Sequence, residues 1–401
     1  MKQGKFSWVE YGRGLKAILF NRNYLLLILI SICNNFALTM AKAPMTPYGM
    51  SLGIAPAVIG AMTGTYYLVC LITRPFTGIA IDKINKKLMM CIALGIKAAG
   101  FVVMAFAQGY SGFFAGRMID AVSFSLITTI FMSTTSLIVD RRAMGTAVGL
   151  FSGIPTLVVS AVPSLAMAIF NKSGGRNVFL YSAVALVIGI VLVFFLQFPK
   201  TEKTAEKKSF SINDVVYLPA VIPCLPNFFL SLLLTVCDVN LVALATERGF
   251  AGAEIYISVK ALVNVAAGVG LGALSDLLSS RKILIGAYIA TIVASIMFGS
   301  ATNLTMVIVA AVIYFIFQRG TVPVLIKAAS EVAPPELRGA AISTNYLIQD
   351  LAGVFGGYIV AFVTGSSGLA GAFYVIAVFP AVGLIIYLIN SRKTTNVEEK
   401  A

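Results

Sequence analysis

Ten charged side chains lie within long apolar stretches of this sequence, and they are the first candidates for chemistry. They are Lys42, Arg74, Lys97, Arg117, Asp120, Asp238, Lys260, Arg319, Lys327 and Asp350. A charge at the centre of a bilayer costs at least about 2.5–3.5 kcal/mol on insertion scales, so it usually lines a pathway or pairs with another charge. Because the chain contains no histidine, we expect any transferred proton to be carried by one of the three aspartates.

Arg117 and Asp120 are spaced to interact on one face of a helix. They stand three residues apart, a separation at which side chains of opposite charge can pair. Such a pair either neutralises itself and serves the structure, or takes part in moving a proton. The sequence leaves both interpretations open.

A second group combines amides, a phenol and a carboxylate, spaced so that two i,i+4 pairs form adjacent polar stripes on one helix. Its members are Asn345, Tyr346, Gln349 and Asp350. Asp350 is placed to carry a coupled proton. The alternative is an ion pair with Arg319 or Lys260, which would keep the carboxylate charged.

The elements that position these residues are membrane helices. The chain has 401 residues, of which 59% are hydrophobic and 11% charged, with a mean hydropathy of +0.92, whereas a soluble domain carries roughly 25% charged residues. This composition argues strongly against a soluble enzyme. The five cysteines lie in apolar runs without a CxxC spacing, so we expect no metal site, disulfide framework or cofactor.

Apolar runs long enough to cross a bilayer, about 20 residues each, predict twelve membrane spans and an all-α fold. We number them in chain order as spans 1 to 12, at residues 24–45, 57–80, 88–107, 111–139, 145–170, 178–198, 218–246, 254–277, 283–301, 304–330, 340–365 and 369–390. The first run is too long for a signal-peptide core, so we expect it to remain as span 1.

The basic residues predict the orientation of these spans. With the N-terminus in the cytoplasm, 20 of the 30 lysines and arginines fall in cytoplasmic segments, three in external loops and seven within spans. This asymmetry follows the positive-inside rule and predicts a multi-pass protein of the cell membrane with both termini in the cytoplasm. The formal charge of +14 is dispersed rather than gathered on one face, which excludes a nucleic-acid partner.

The most polar internal stretch, residues 199–214, separates six spans from six. We therefore predict an N-terminal six-helix bundle over 1–198, a cytoplasmic linker over 199–217 and a C-terminal six-helix bundle over 218–401. The spans before and after the linker are called the N-terminal half and the C-terminal half below.

Similar sequences recur at one offset in the two halves. Asp82 and Asp276 end spans 2 and 8 at positions 194 residues apart, as two parallel repeats would place them. Lys42 and Asp238 are separated by 196, nearly the same offset. We therefore expect these two opposite charges to meet across a central cavity and to act as a gate or coupling pair.

Three motifs give the chain a family resemblance. Gly78–Lys87 resembles the loop 2–3 signature of the major facilitator superfamily, with Asn85 where the family usually has glycine. Arg117 resembles the superfamily's second motif, and Pro334–Gly339 resembles its loop 10–11 signature. The resemblance covers essentially the whole chain. It implies a secondary transporter of twelve helices, with two pseudo-symmetric bundles around a cavity that opens alternately to each side.

By this resemblance, one set of residues forms a conformational switch that favours the outward-open state. Its members are Gly78, Asp82, Lys83, Lys86, Lys87, Asp276, Arg281 and Arg338. A carboxylate such as Asp82 can face the positive end of a neighbouring helix in one state and leave it in the other. For Lys86 and Lys87 the alternative is that they only obey the positive-inside rule.

A second set is expected along the coupling and substrate pathway. Its members are Lys42, Arg74, Arg117, Asp120, Asp238, Lys260, Arg319, Asn345, Tyr346, Gln349 and Asp350. In the family, spans 3, 6, 9 and 12 lie outermost, and Lys97 in span 3 is the one charge that departs from this pattern. The pathway charges are positive by two, which favours an anionic solute, while the aromatic and amide side chains suit a neutral one.

These observations predict a transporter rather than an enzyme. We expect proton-coupled movement of a small organic solute by alternating access, with export favoured, in a monomer surrounded by the lipid bilayer. Uptake or exchange of an anionic, carboxylate-type metabolite is the alternative. A non-transporting receptor or scaffold is more remote, because it leaves the charges within the spans unexplained.

Overall fold

Helices account for all regular secondary structure in the part of the chain that the structure describes, and no strand occurs there. This computed structural model describes residues 21–83, 85–138, 151, 153–158, 160–197, 216–252, 254–264, 266, 280–334 and 337–398. Nearly all of the predicted linker over 199–217 lies outside the described residues. The division into two bundles therefore stays a prediction.

Spans 1 to 4 and span 6 contain helices close to their predicted bounds, and the predicted start of span 5, residues 145–150, lies outside the described residues. The helices are Arg22–Lys42 with Met45–Ser51 (span 1), Pro56–Lys83 (span 2), Lys86–Ala105 (span 3), Tyr110–Ile138 (span 4), Val162–Ser173 (span 5) and Gly175–Phe194 (span 6). Residues 153–158 of span 5 are also helical. Span 1 is interrupted before Met45 because Pro44, the residue that precedes this helix, has no backbone N–H to continue the helical bonds.

The last six spans are helical as well. The helices are Leu218–Ala220 with Val221–Val236, Cys237–Leu241 and Val242–Glu247 (span 7), Ile255–Asn264 (span 8), Ser280–Ser300 (span 9), Leu304–Glu331 (span 10) and Arg338–Glu398 (spans 11 and 12). Gly368, at φ 72° and ψ 179°, separates spans 11 and 12, since this backbone region suits glycine. The end of span 8 lies outside the described residues.

The length and apolar character of the helices are those of a membrane protein. Among the described residues, nine helical segments are long and apolar enough to cross a bilayer, and spans 11 and 12 are counted together in one of them. Spans 6, 9 and 12 each present an exposed apolar face, as helices in contact with lipid do. The exposed residues include Val184, Val187 and Val191; Ile289, Val293 and Ile296; and Val378, Val382 and Ile385.

Within each half, neighbouring helices pack together, and the two halves meet where span 2 runs along span 11. At the start of span 3, the Asn85 side chain accepts a hydrogen bond from the Lys87 backbone N–H at 2.9 Å. Asparagine is a favoured residue at this capping position. The cap gives a local reason for asparagine where the family signature has glycine.

Candidate functional site

Three charged side chains from both halves meet near the predicted extracellular end of the bundle. Lys42 Nζ lies 2.7 Å from Asp238 Oδ2, and Lys260 Nζ lies 3.6 Å from Asp238 Oδ1. The Asp238 side chain is 9% exposed, against 34% for Lys42 and 20% for Lys260. The contact between Lys42 and Asp238 is therefore present, and Lys260 is an additional partner. We call these three residues the interbundle cluster.

Asp238 lies in an irregular turn of span 7. Residues Cys237–Leu241 form a π-helix within a span that is otherwise α-helical over most of its length. A π turn holds more residues than an α turn and is frequent at functional sites. The Val239 carbonyl in this turn accepts a hydrogen bond at 2.9 Å from Thr46 Oγ1 of the other half. The turn thus joins the two halves through its backbone as well as through Asp238.

A cavity lies beside the interbundle cluster. Its volume is about 150 Å³, and residues from both halves line it, among them Asn35, Lys42, Thr156, Asp238, Lys260 and Asn264. Two cations and one carboxylate leave one positive charge in excess at its wall. Within the described residues, no group of three or more cysteine, aspartate or glutamate side chains is arranged to hold a metal ion.

A second ion pair joins spans 2 and 11. Arg74 donates to both carboxylate oxygens of Asp350, from Nε to Oδ2 and from Nη2 to Oδ1, the latter at 3.2 Å. The Asp350 side chain is only 6% exposed. Asp350 thus forms an ion pair, and its partner in the structure is Arg74. Of the two partners considered from the sequence, Lys260 contacts Asp238 and Arg319 is a half-buried residue of span 10.

Glycines bring spans 2 and 11 close together further along the same two helices, about 10–15 Å from this pair at 1.5 Å per residue. A Cβ added at Gly357 would lie 2.2 Å from the Gly64 nitrogen, and one added at Gly60 would lie 3.0 Å from the Ala361 nitrogen. Small residues at such positions let two helix backbones approach closely in a membrane. We call the contact of Gly60 and Gly64 with Gly357 and its neighbours the glycine crossing.

A third group of charges lies wholly within the N-terminal half. Arg117 Nη1 donates to Asp120 Oδ2 at 3.0 Å, and Lys97 Nζ lies 3.7 Å from Asp120 Oδ1. The Arg117 guanidinium also lies over the Tyr66 ring, 4.0 Å from its centroid, a favourable cation–π contact. We call Lys97, Arg117 and Asp120 the intrabundle cluster.

Lys97 is the member of this cluster whose partner the sequence did not predict. Its side chain is 1% exposed and lies near the rings of Phe101 and Phe124, at 5.9 and 5.8 Å from their centroids. It therefore faces the interior of the half rather than lipid. The signal that pointed to this arrangement was Asp120, an intramembrane carboxylate on the next span that requires partners.

The four polar residues predicted to form stripes on span 11 have different surroundings. Asn345 is buried against span 7, where its Oδ1 accepts a hydrogen bond from Asn227 Nδ2 at 3.0 Å. Tyr346 is 42% exposed, and Gln349 is half-buried. Of the four, Asp350 alone joins a charged contact among the described residues.

Most of the predicted conformational switch lies outside what the structure describes. Asp276 is outside the described residues. Of Gly78, Asp82, Lys83 and Arg338, the structure describes the helical backbone alone. Arg281 is exposed, and Lys86 is half-buried. Lys87 Nζ donates to the Phe194 carbonyl at 2.6 Å, at the end of the span 6 helix, where a cation favourably satisfies a free carbonyl.

The chain is similar to known membrane transport proteins. The sequence model described as "Major Facilitator Superfamily" matches residues 25–298 and 227–401. The chain is 27% identical to the staphylopine export protein of Staphylococcus aureus strain Mu50 over 277 residues, which are 64% of this chain and 65% of that protein. The match thus spans slightly less than two thirds of that relative's length.

Two further similarities extend over more of the chain. The inner membrane transport protein YajR of Escherichia coli strain K12 is 23% identical over 86% of this chain and 78% of its own length. A solved structure of a peptide transporter POT in complex with sulfate has a TM-score of 0.76 at 14% identity, and the match covers 96% of this chain and 98% of that one. At this identity the likeness concerns the fold alone.

Proposed function

Because this chain belongs to the major facilitator superfamily, we propose that it exports a small organic solute in exchange for protons by alternating access. The chain is a multi-pass membrane transporter, not an enzyme. The solute class, the direction and the coupling ion are the proposed part. In this proposal the protein is a monomer of the cell membrane with both termini in the cytoplasm, and residues 1–198 and 218–401 form the two moving bundles.

The observation that carries the proposal is that two ion pairs, each with a buried carboxylate, run between the halves. Lys42 with Asp238 joins spans 1 and 7, and Arg74 with Asp350 joins spans 2 and 11. Removing one partner of a fully buried pair costs about 3–5 kcal/mol because the other charge is left alone, and the cost is smaller where a partner reaches water, as Lys42 does at 34% exposure. Each pair therefore holds the halves together while both charges are present, and gives the transporter an element with two states.

Protonation is the event that would release the second pair. A neutral Asp350 carboxyl attracts the Arg74 guanidinium far less than a carboxylate does, so proton binding would let spans 2 and 11 separate. Asp238 can act in the same way on Lys42. Asp120 is less suited to this role, because both of its cationic partners lie in its own half.

Export is supported by similarity to the staphylopine export protein of Staphylococcus aureus. Uptake of an anionic metabolite remains the second candidate, because the cavity beside the interbundle cluster has an excess of one positive charge. The two directions differ in which side of the membrane must be acidic for net movement of the solute.

The test uses purified protein in liposomes with a pH-sensitive dye inside. Small metabolites and antibiotics that raise the melting temperature of the protein are added under an imposed pH gradient. We expect saturable, solute-dependent proton flux that disappears in Asp350→Asn. The matched control is Lys327→Gln, which removes an exposed charge whose ion-pair partner among the described residues is Glu331 at 3.9 Å, and which should transport normally.

Two results would contradict the proposal in different ways. Solute flux that does not respond to the pH gradient would exclude protons as the coupling ion, but the protein would still be a transporter of that solute. Absence of saturable flux for every solute that binds would remove transport itself, and would favour a receptor or scaffold.

A further inference from the structure

We infer that the cavity beside the interbundle cluster binds the carboxylate of a small 2-amino or 2-hydroxy acid, which takes the place of Asp238 on Lys42 and Lys260. This inference deepens the proposed function, because it names the chemical class of the transported solute. It is independent of the direction of transport.

The charges of the cluster favour a carboxylate ligand. Lys42 and Lys260 share one carboxylate, so the cluster is positive by one unit in a partly desolvated place. An isolated charge in such surroundings is costly. A 2-hydroxy acid carries one negative charge and would balance the cluster at two positive and two negative charges, and the zwitterion of a 2-amino acid would bring a carboxylate to the lysines without changing the net charge. A cation would instead add to an excess that is already present.

The two lysines lie at different distances from Asp238. Oδ2 receives the close contact from Lys42 at 2.7 Å, whereas Lys260 stands at 3.6 Å from Oδ1 and makes no hydrogen bond with it. Lys260 is therefore held near the carboxylate without being satisfied by it. Its 20% exposed side chain lines the cavity and is available to a second carboxylate.

The wall of the cavity also indicates what accompanies the carboxylate. Asn35 and Asn264 place amide side chains at this wall, and an amide both donates and accepts hydrogen bonds. A hydroxyl or ammonium group next to the carboxylate would find an amide acceptor there. This points to 2-hydroxy or 2-amino acids rather than to simple fatty acids.

The size of the cavity limits the ligand. Its volume of about 150 Å³ is smaller than the about 300–1,000 Å³ of pockets for drug-sized ligands. The cavity therefore holds a small acid, or the acidic head of a longer solute whose remainder lies elsewhere between the halves.

The alternative is that the two lysines only hold Asp238 and form a gate without a ligand. The two explanations differ in the sign of one effect. If a ligand carboxylate competes with Asp238, then Asp238→Asn strengthens binding, because two lysines are left for the ligand alone. If Asp238 merely maintains the shape of the site, the same substitution weakens binding or leaves none.

The experiment measures melting temperature shifts of the purified full chain with lactate, phenyllactate, alanine and phenylalanine, each beside its primary amide. A ligand that binds the native state raises the melting temperature in proportion to the logarithm of its concentration over Kd. We expect shifts from at least one acid and none from its amide. Kd should rise about tenfold or more in Lys260→Gln and fall about tenfold in Asp238→Asn.

Lys327→Gln removes the same unit charge from an exposed site and should bind as the unaltered protein does. Lys260→Arg keeps the charge and should retain most of the binding, which shows that loss in Lys260→Gln is not a failure to fold. The melting temperature of each variant without ligand is the second check of folding.

Equal shifts from acid and amide, weaker binding in Asp238→Asn, or no shift from any acid up to about 20 mM would each overturn the inference. These outcomes are separate from failure of the proposed function. A protein that moves neutral solutes but ignores the acids refutes the inference and keeps transport. A protein that binds acids but moves no solute keeps the inference and refutes transport.

Discussion

The interbundle and intrabundle clusters have the same composition, two cations around one aspartate, but they lie in different mechanical positions. Lys42, Asp238 and Lys260 come from spans 1, 7 and 8 and therefore from both halves. Lys97, Arg117 and Asp120 come from spans 3 and 4 of one half. A relative movement of the halves must disturb the first cluster and can leave the second intact. Position, rather than charge, separates a movable site from a structural one.

The side chains of the intrabundle cluster are also less exposed than those of the interbundle cluster. Asp120 and Lys97 are each 1% exposed, whereas Lys42 is 34% exposed. Water can replace a missing partner for Lys42 but not for Lys97. We therefore expect substitutions in the intrabundle cluster to act on stability and those in the interbundle cluster to act on transport.

The largest expected effect is on the stability of Asp120→Asn. Lys97 and Arg117 then lose their carboxylate in a buried place, and the free energy of unfolding should fall by about 3–5 kcal/mol. Melting temperature in detergent measures this loss, and Asp238→Asn is the matched comparison. A loss in Asp238→Asn as large as in Asp120→Asn would contradict the distinction between the two clusters.

The second prediction is a charge swap in the interbundle cluster. Lys42→Asp and Asp238→Lys should each reduce solute flux more than about tenfold, because like charges then face each other. The double variant restores an opposite pair and should recover a large part of the flux in liposomes. If the double variant transports no better than either single variant, the pair is not a gate.

The third prediction concerns the glycine crossing, where spans 2 and 11 of the two halves approach closely. Gly357→Ala places a methyl group against the Gly64 backbone and should cost about 1–3 kcal/mol, together with a reduction of flux. Gly365→Ala on the same span is the control, since its new Cβ would approach Ala57 only to 3.8 Å. An equal effect of both substitutions on melting temperature and flux would show that the crossing is not specifically tight.

The smallest effect is expected for Lys97→Met. Arg117 and Asp120 remain as a balanced pair, so no buried charge is left alone, and an apolar side chain of similar length fills the place of the buried lysine. Melting temperature should stay constant or rise, and flux should be unchanged. Loss of flux at unchanged stability would assign the intrabundle cluster to the transport cycle.

The sequence predicts the membrane helices that the structure describes, because a bilayer imposes a length of about 20 apolar residues on each helix. It also predicts the contact between Lys42 and Asp238, because two parallel repeats place equivalent positions of the halves opposite each other. In both cases the determinant is a regular spacing along the chain, which can be read without knowledge of packing.

The parts that could not be predicted depend on packing. Arg74 and Asp350 are 276 residues apart and meet because glycines on spans 2 and 11 allow a close approach. The direction in which Lys97 points depends on how span 3 lies against span 4. The π turn at Cys237–Leu241 has no composition that distinguishes it from the α-helix around it.

The turn at Gly368 has a practical consequence for studies of topology. Spans 11 and 12 are joined by this one residue of left-handed φ inside a helical run from Arg338 to Glu398, so no extended stretch separates them. Proteases and inserted epitopes require exposed, extensible loops. Limited digestion and epitope insertion should therefore leave this hairpin untouched in intact vesicles, whichever face of the membrane is accessible.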